Sequence, residues 1–105
     1  PDLVETHCKL AAALIKIHQP QKAIEHCQAA LQWRPDYVEA YVNLTLADAQ
    51  LGRSAAAIAS AQTAIALARQ QGRLALAQEL EISLKWYQAQ LVGATNHEKI
   101  PAAQQ

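Results

Sequence analysis

The sequence contains no methionine and no phenylalanine, and its 105 residues include only 3 glycines, 4 prolines and 2 cysteines. Each shortage excludes a class of function. Without clustered glycines there is no loop to cradle a phosphate, and no strained strand-to-helix turn presents a serine nucleophile. Cys8 and Cys27 are too few for a disulfide framework and lack metal-type spacing, so both are expected to be free, reduced thiols in a cytoplasmic protein. Nine basic residues balance nine acidic ones. That leaves no cationic excess for nucleic-acid phosphates. No apolar run approaches the ~20 residues of a membrane span. His7, His18, His26 and His97 have no carboxylate or cysteine at a recurring ligand spacing. The expectation is therefore no enzyme, no metal and no cofactor. No signal peptide is read, and a chain opening on Pro1 is expected to be part of a longer one.

What is present favours helix. Hydrophobic residues make up 51% and charged residues 17%, enough apolar character for a core and for one compact domain. Alanine and glutamine, both good helix formers, are abundant and breakers are scarce. No stretch alternates apolar and polar residues for more than a few positions, so the fold class is all-α.

A fixed period organises the chain. Pro1-Asp2-Leu3-Val4-Glu5 returns as Pro35-Asp36-Tyr37-Val38-Glu39, a shift of 34. The same shift pairs Leu10 with Leu44, Ala13 with Ala47, Ala23 with Ala57, Ile24 with Ile58, Gln28 with Gln62 and Ala30 with Ala64. That makes 10 identities over 34 positions without a gap. Each unit breaks at its midpoint. Pro20 suits the first turn of a new helix, Gly52 the left-handed residue that ends one, and Ser54 the cap of the next. Asp2 and Asp36 are placed to cap the following helix or to favour its positive start. Helices are expected near 2–17, 20–33, 36–51, 54–71 and 73–92. Ala11, Ala23, Ala30, Ala57 and Ala64 are expected where paired helices cross, with Leu10, Leu14, Ile24 and Leu31 filling the flanks.

These residues resemble the tetratricopeptide repeat, a 34-residue helix-turn-helix unit with conserved small and large positions and a closing proline. The second unit supplies Tyr41, Leu44, Ala57 and Ala64; the first supplies Leu10-Ala11, Leu14, Ala23, Ala30 and Pro35 at its end. The resemblance covers about two thirds of the chain. It implies a right-handed superhelix with repeat 1 about 4–37, repeat 2 about 38–71, and a C-terminal capping helix over 73–92. Residues 93–105 read as a flexible tail or linker. Departures from the pattern are His7 at an aromatic position, Thr45 at a small one, Asp48 at a large one and Arg69 at the closing proline. Asp48, if buried, is expected to bond Thr45, a serine or Lys85.

The resemblance also implies a function, that of a protein-interaction scaffold. Its concave groove would hold a peptide or helix through Glu5, Cys8, Lys9, Ala12 and Lys16 of the first unit, and Glu39, Val42, Asn43, Leu46, Ala49 and Gln50 of the second. Asn43 stands where related repeats hold a ligand backbone through an amide. Cys8 and Ala12 occupy two positions that a carboxylate clamp would need, which argues against that ligand class. The alternative is an assembly element. On the closing helix Ala77, Leu80, Leu84, Tyr87 and Leu91 form one stripe, while Ala75, Ile82, Trp86 and Ala89 share the opposite face. Isolated apolar surface residues are ordinary, but Ile82, Trp86 and Ala89 together are the expected interface, with a homo-oligomer as one outcome.

Overall fold

The computed structural model describes residues 2–99, and within them every regular element is an α-helix: α1 (Asp2–Lys16), α2 (Pro20–Trp33), α3 (Val38–Gln50), α4 (Ser54–Gln70) and α5 (Leu74–Lys99). Four of the five lie within two residues of the expected bounds at each end. α5 runs beyond 92 to Lys99, so the expected tail boundary at 93 is displaced. No proline falls before Pro101, and the one glycine, Gly93, costs a helix about 1 kcal/mol, too little to end it. The remainder of that tail, 100–105, lies outside the described residues.

Three turns in this chain are built alike. After α1, α3 and α4 the backbone swings into the left-handed region at His18 (φ 59°), Gly52 (φ 75°) and Gly72 (φ 75°). The next residue donates its N–H back across the turn: Gln19 to the Leu14 carbonyl, Arg53 to Asp48 and Arg73 to Ala68, each at 2.8 Å. The left-handed residue itself donates to Ile15, Ala49 or Arg69 at 3.0–3.1 Å. This is the Schellman closure, which satisfies carbonyls that a helix end leaves orphaned. Pro20 opens α2 as expected, but Ser54 does not cap α4. Arg53 holds the capping position without a side-chain bond, and Ser54 is already the first helical residue. Likewise Tyr37, not Asp36, precedes α3 as its cap.

Each helix packs on the next in sequence, and α1 also touches α3. The result is elongated, 57 × 30 × 18 Å, because the helices stack in order and do not close around one centre. The expected crossing alanines Ala11, Ala23, Ala30, Ala57 and Ala64 are all fully buried. One packing cluster joins Val4, Cys8, Ala30 and Ala40, with Leu31 and Tyr37 against it. It recurs further along as Val38, Ala64, Ala68 and Ala77, with Val42 and Leu67 among its neighbours. A third cluster ties α1, α2 and α3 through Ala11, Ile15, Ala23, Ile24, Cys27 and Ala47.

Leu10 corrects an expectation. Expected to fill the flank of a helix crossing, it is 45% exposed, in line with Leu3 and Ile17, also exposed, at seven-residue intervals along α1 and the residue that follows it. Its counterpart Leu44 packs against the α1–α2 cluster. α1 has no earlier helix pair among the described residues to cover the same stripe.

The three turns make a test. His18 is the one non-glycine of the set, and left-handed backbone costs an L-residue roughly 1 kcal/mol that glycine avoids. His18→Gly should raise the unfolding free energy measured in urea by about 0.5–1 kcal/mol. Gly52→Ala, with open space where its Cβ would go, should lower stability by about 1 kcal/mol through the backbone alone.

Candidate functional site

An open cleft of about 430 Å³ lies where α1, α3 and the start of α5 come together. α1 contributes Glu5, Cys8, Lys9 and Ala12; Tyr37 and α3 contribute Glu39, Val42 and Asn43; Arg73 and Leu76 close the far side. Residues at i, i+3, i+4 and i+7 share a helix face, which is why 5, 8, 9 and 12 arrive together. The floor is apolar, from Cys8, Ala12, Val42 and Leu76, and the rim is charged.

The rim charges are satisfied in pairs. Lys9 Nζ lies 3.1 Å from Glu5 one turn earlier. Arg73 grips Glu39 with both guanidinium nitrogens, at 2.6 and 3.3 Å. The Arg73 hydrogen bond holds the Glu39 carboxyl below its ordinary value and raises Arg73 in turn. The cleft therefore carries no net charge. Beneath it, burial pushes the Cys8 thiol up to about 11 and Cys27 up to about 12. At neutral pH both are protonated and poor nucleophiles.

Seven of the eleven groove residues expected from the sequence line this cleft. Two of those seven have roles that the expectation did not give them. Cys8 is buried and offers a wall, not a reactive group. Asn43 is also buried, and its Nδ2 donates to the Cys8 carbonyl at 3.0 Å, so its amide N–H is committed within the chain. The remaining four lie elsewhere. Gln50 makes the same kind of bond, Nε2 to the Ile15 carbonyl at 2.8 Å. Lys16 is exposed at the end of α1 and Ala49 is half-buried. Leu46 lines a separate recess of about 50 Å³ with Thr45, Ala61, Leu80 and Tyr87. At the expected interface, Ile82 and Trp86 are 71% and 58% exposed, and Ala89 is exposed as well.

Tyr37, Arg73 and Leu76 were missed. Arg73 had a signal, because it follows Glu39 by 34 residues, the unit length. A third amide repeats the pattern, with Gln71 Nε2 donating to the Asp36 carbonyl at 2.8 Å. Asn43, Gln50 and Gln71 each reach back 35 residues to a main-chain carbonyl. Together they tie α3 to α1 and the approach to α5 to the start of α3.

Asp48 is buried at the end of α3, and its partner is Arg53 at 3.9 Å. Thr45 bonds instead to the Tyr41 carbonyl, so the expected Asp48–Thr45 bond is absent. Burial raises the Asp48 carboxyl more than Arg53 lowers it. Among the described residues no group of three or more histidine, cysteine or acidic side chains is arranged to hold a metal, and no helix is long and apolar enough to cross a membrane. Compared with family models, curated proteins and solved structures, the chain gives no match.

Two substitutions probe these links. The folded state holds the Asp48 proton more tightly than the unfolded chain does. Its contribution is therefore most favourable in acid and is lost as pH rises through its folded value. Asp48→Asn should unfold at higher urea than the parent near pH 7, and the two curves should converge near pH 3. Asn43→Ala should cost about 1 kcal/mol. Asn43→Asp should cost more at neutral pH, because it sets a carboxylate against the Cys8 carbonyl.

Proposed function

We propose that this chain is a tetratricopeptide-type interaction module that holds a segment of another protein in the cleft between α1, α3 and α5. The observation that carries the reading is the make-up of that cleft, an apolar floor inside a rim whose four charges neutralise one another. Such a surface offers little to a charged small molecule or to a phosphate. It suits an uncharged side chain projecting from a peptide or helix, with the rim ion pairs available to the main chain around it. Its volume falls in the range of ligand pockets, ~300–1,000 Å³. The 34-residue period, and the amides that reach from the second unit to main-chain carbonyls of the first, support the family resemblance.

The reading assigns no catalytic activity and no cofactor, and it takes the partner to be a protein met in the cytoplasm. With the thiols protonated and no nucleophile–base pair in the cleft, the site has the character of a seat and not of a reaction centre.

A displayed library of random twelve-residue peptides, selected against the 105-residue chain, tests the reading. Selected peptides should carry an aliphatic or aromatic residue at a fixed position. Val42→Glu or Leu76→Glu, each placing a charge on the apolar floor, should weaken their binding at least tenfold, about 1.4 kcal/mol. Circular dichroism of both variants should still report folded helix. Selected peptides whose affinity is unchanged by both substitutions would place binding elsewhere and sink the proposal.

A further inference from the structure

α5 packs through Ala77 on Ala64, Ala68 and Val38, as α3 packs through Ala40 on Ala30 and Val4. Ala77 is thus the counterpart of Ala40. Five residues on from each stand Ile82 and Thr45, and the first unit carries Ala11 at the place of Thr45. Ala11 is 0% exposed and packs with Ala23, Ile24 and Cys27 of α2; Thr45 is 6% exposed; Ile82 is 71% exposed. α5 is therefore built like the first helix of a pair. Among the described residues, the second helix that covers this position in the earlier pairs has no counterpart.

The bare face is complementary to itself. At ~100° per residue, Ala75, Gln78, Glu79, Lys85, Trp86 and Ala89 all fall within about 60° of Ile82. They lie symmetrically about it, at seven, four and three residues before and three, four and seven after. All six are exposed. We infer that this face is the seat of a second copy of the chain, with the two α5 helices antiparallel and related by a two-fold axis through Ile82.

In that register Ala75 meets Ala89 of the second copy, where two small side chains let the backbones approach. Trp86 covers Gln78 of the second copy. Glu79 meets Lys85 of the second copy, and symmetry makes the same ion pair twice. Among the described residues, neither Glu79 nor Lys85 takes part in an ion pair within the chain. The Trp86 ring is held edge-on to Tyr87, at 5.1 Å between centroids, so the tryptophan is already oriented before it is covered. The pairing leaves the cleft untouched and does not depend on what the cleft binds.

Sedimentation equilibrium of the 105-residue chain, from about ten micromolar to about one millimolar, tests this, the range being that of a weak, small interface. The expected result is a reversible monomer–dimer equilibrium. Glu79→Lys or Lys85→Glu alone sets like charges together and should weaken the dimer about tenfold. The double variant Glu79→Lys/Lys85→Glu should return to within about threefold of the parent, since it rebuilds both pairs with exchanged signs. Circular dichroism should show unchanged helix throughout. A monomer at every concentration overturns the inference. So does a dimer that neither single reversal weakens, or one that the double variant fails to restore.

Discussion

The close approach of helix backbones at alanine is the constraint on which the structure rests. Ala11, Ala23, Ala30, Ala40, Ala47, Ala57, Ala61, Ala64, Ala68 and Ala77 are all buried, and the largest side chains with essentially no exposure are Val38 and Cys27. A methyl group at the crossing brings two helices near enough for long side chains such as Leu14 and Leu44 to fill the margins. The same closeness leaves no room for enlargement, since an added methylene must push whole helices apart. It also makes the core thin. Apolar burial per residue is modest, so other forces must decide how one helix pair is placed against the next.

The reaching amides meet that need. Hydrophobic contact is non-directional and would tolerate α3 sliding along α1. Asn43 and Gln50 are seven residues apart on α3 and donate to carbonyls seven residues apart on α1, so a slip by one residue would break both bonds. A main-chain carbonyl has a second lone pair after its helical bond, and these amides use it. The register they set puts Cys8 and Ala12 opposite Val42. Gln71 and Arg73 then fix where α5 begins. The cleft exists because these links hold its three walls in step.

The legible part of the sequence was what depends on phase along one helix. The 34-residue period, the glycine and proline punctuation and the small crossing residues each report on their own segment, and the helix bounds and buried alanines follow from them. Across-helix neighbours were harder. Asn43 read as a free amide because nothing local shows that the Cys8 carbonyl lies within reach, and Leu10 read as a packed flank residue because its counterpart Leu44 is one. Arg73 and Leu76 belong to the cleft through the placement of α5, which departs from the 34-residue pattern. His18 was unremarkable as a histidine, and only its backbone angle shows it in the place of Gly52.

α5 is the last helix of the stack, packed on α4 and, through Ala77, on Val38 of α3, with further ties at Arg73 and Gln71. Its opening should therefore be a low-cost sub-global unfolding event, since it frees one terminal helix and leaves α1 to α4 stacked. Yet α5 also carries one wall of the cleft, through Leu76 and, just ahead of it, Arg73. Whatever fills the cleft binds the docked form in preference to the open one, and so adds its own binding free energy to the docking of α5. Occupancy at one end of the molecule and order at the other thus become a single equilibrium, and slowed amide hydrogen exchange along α5 would report a ligand that never touches most of that helix.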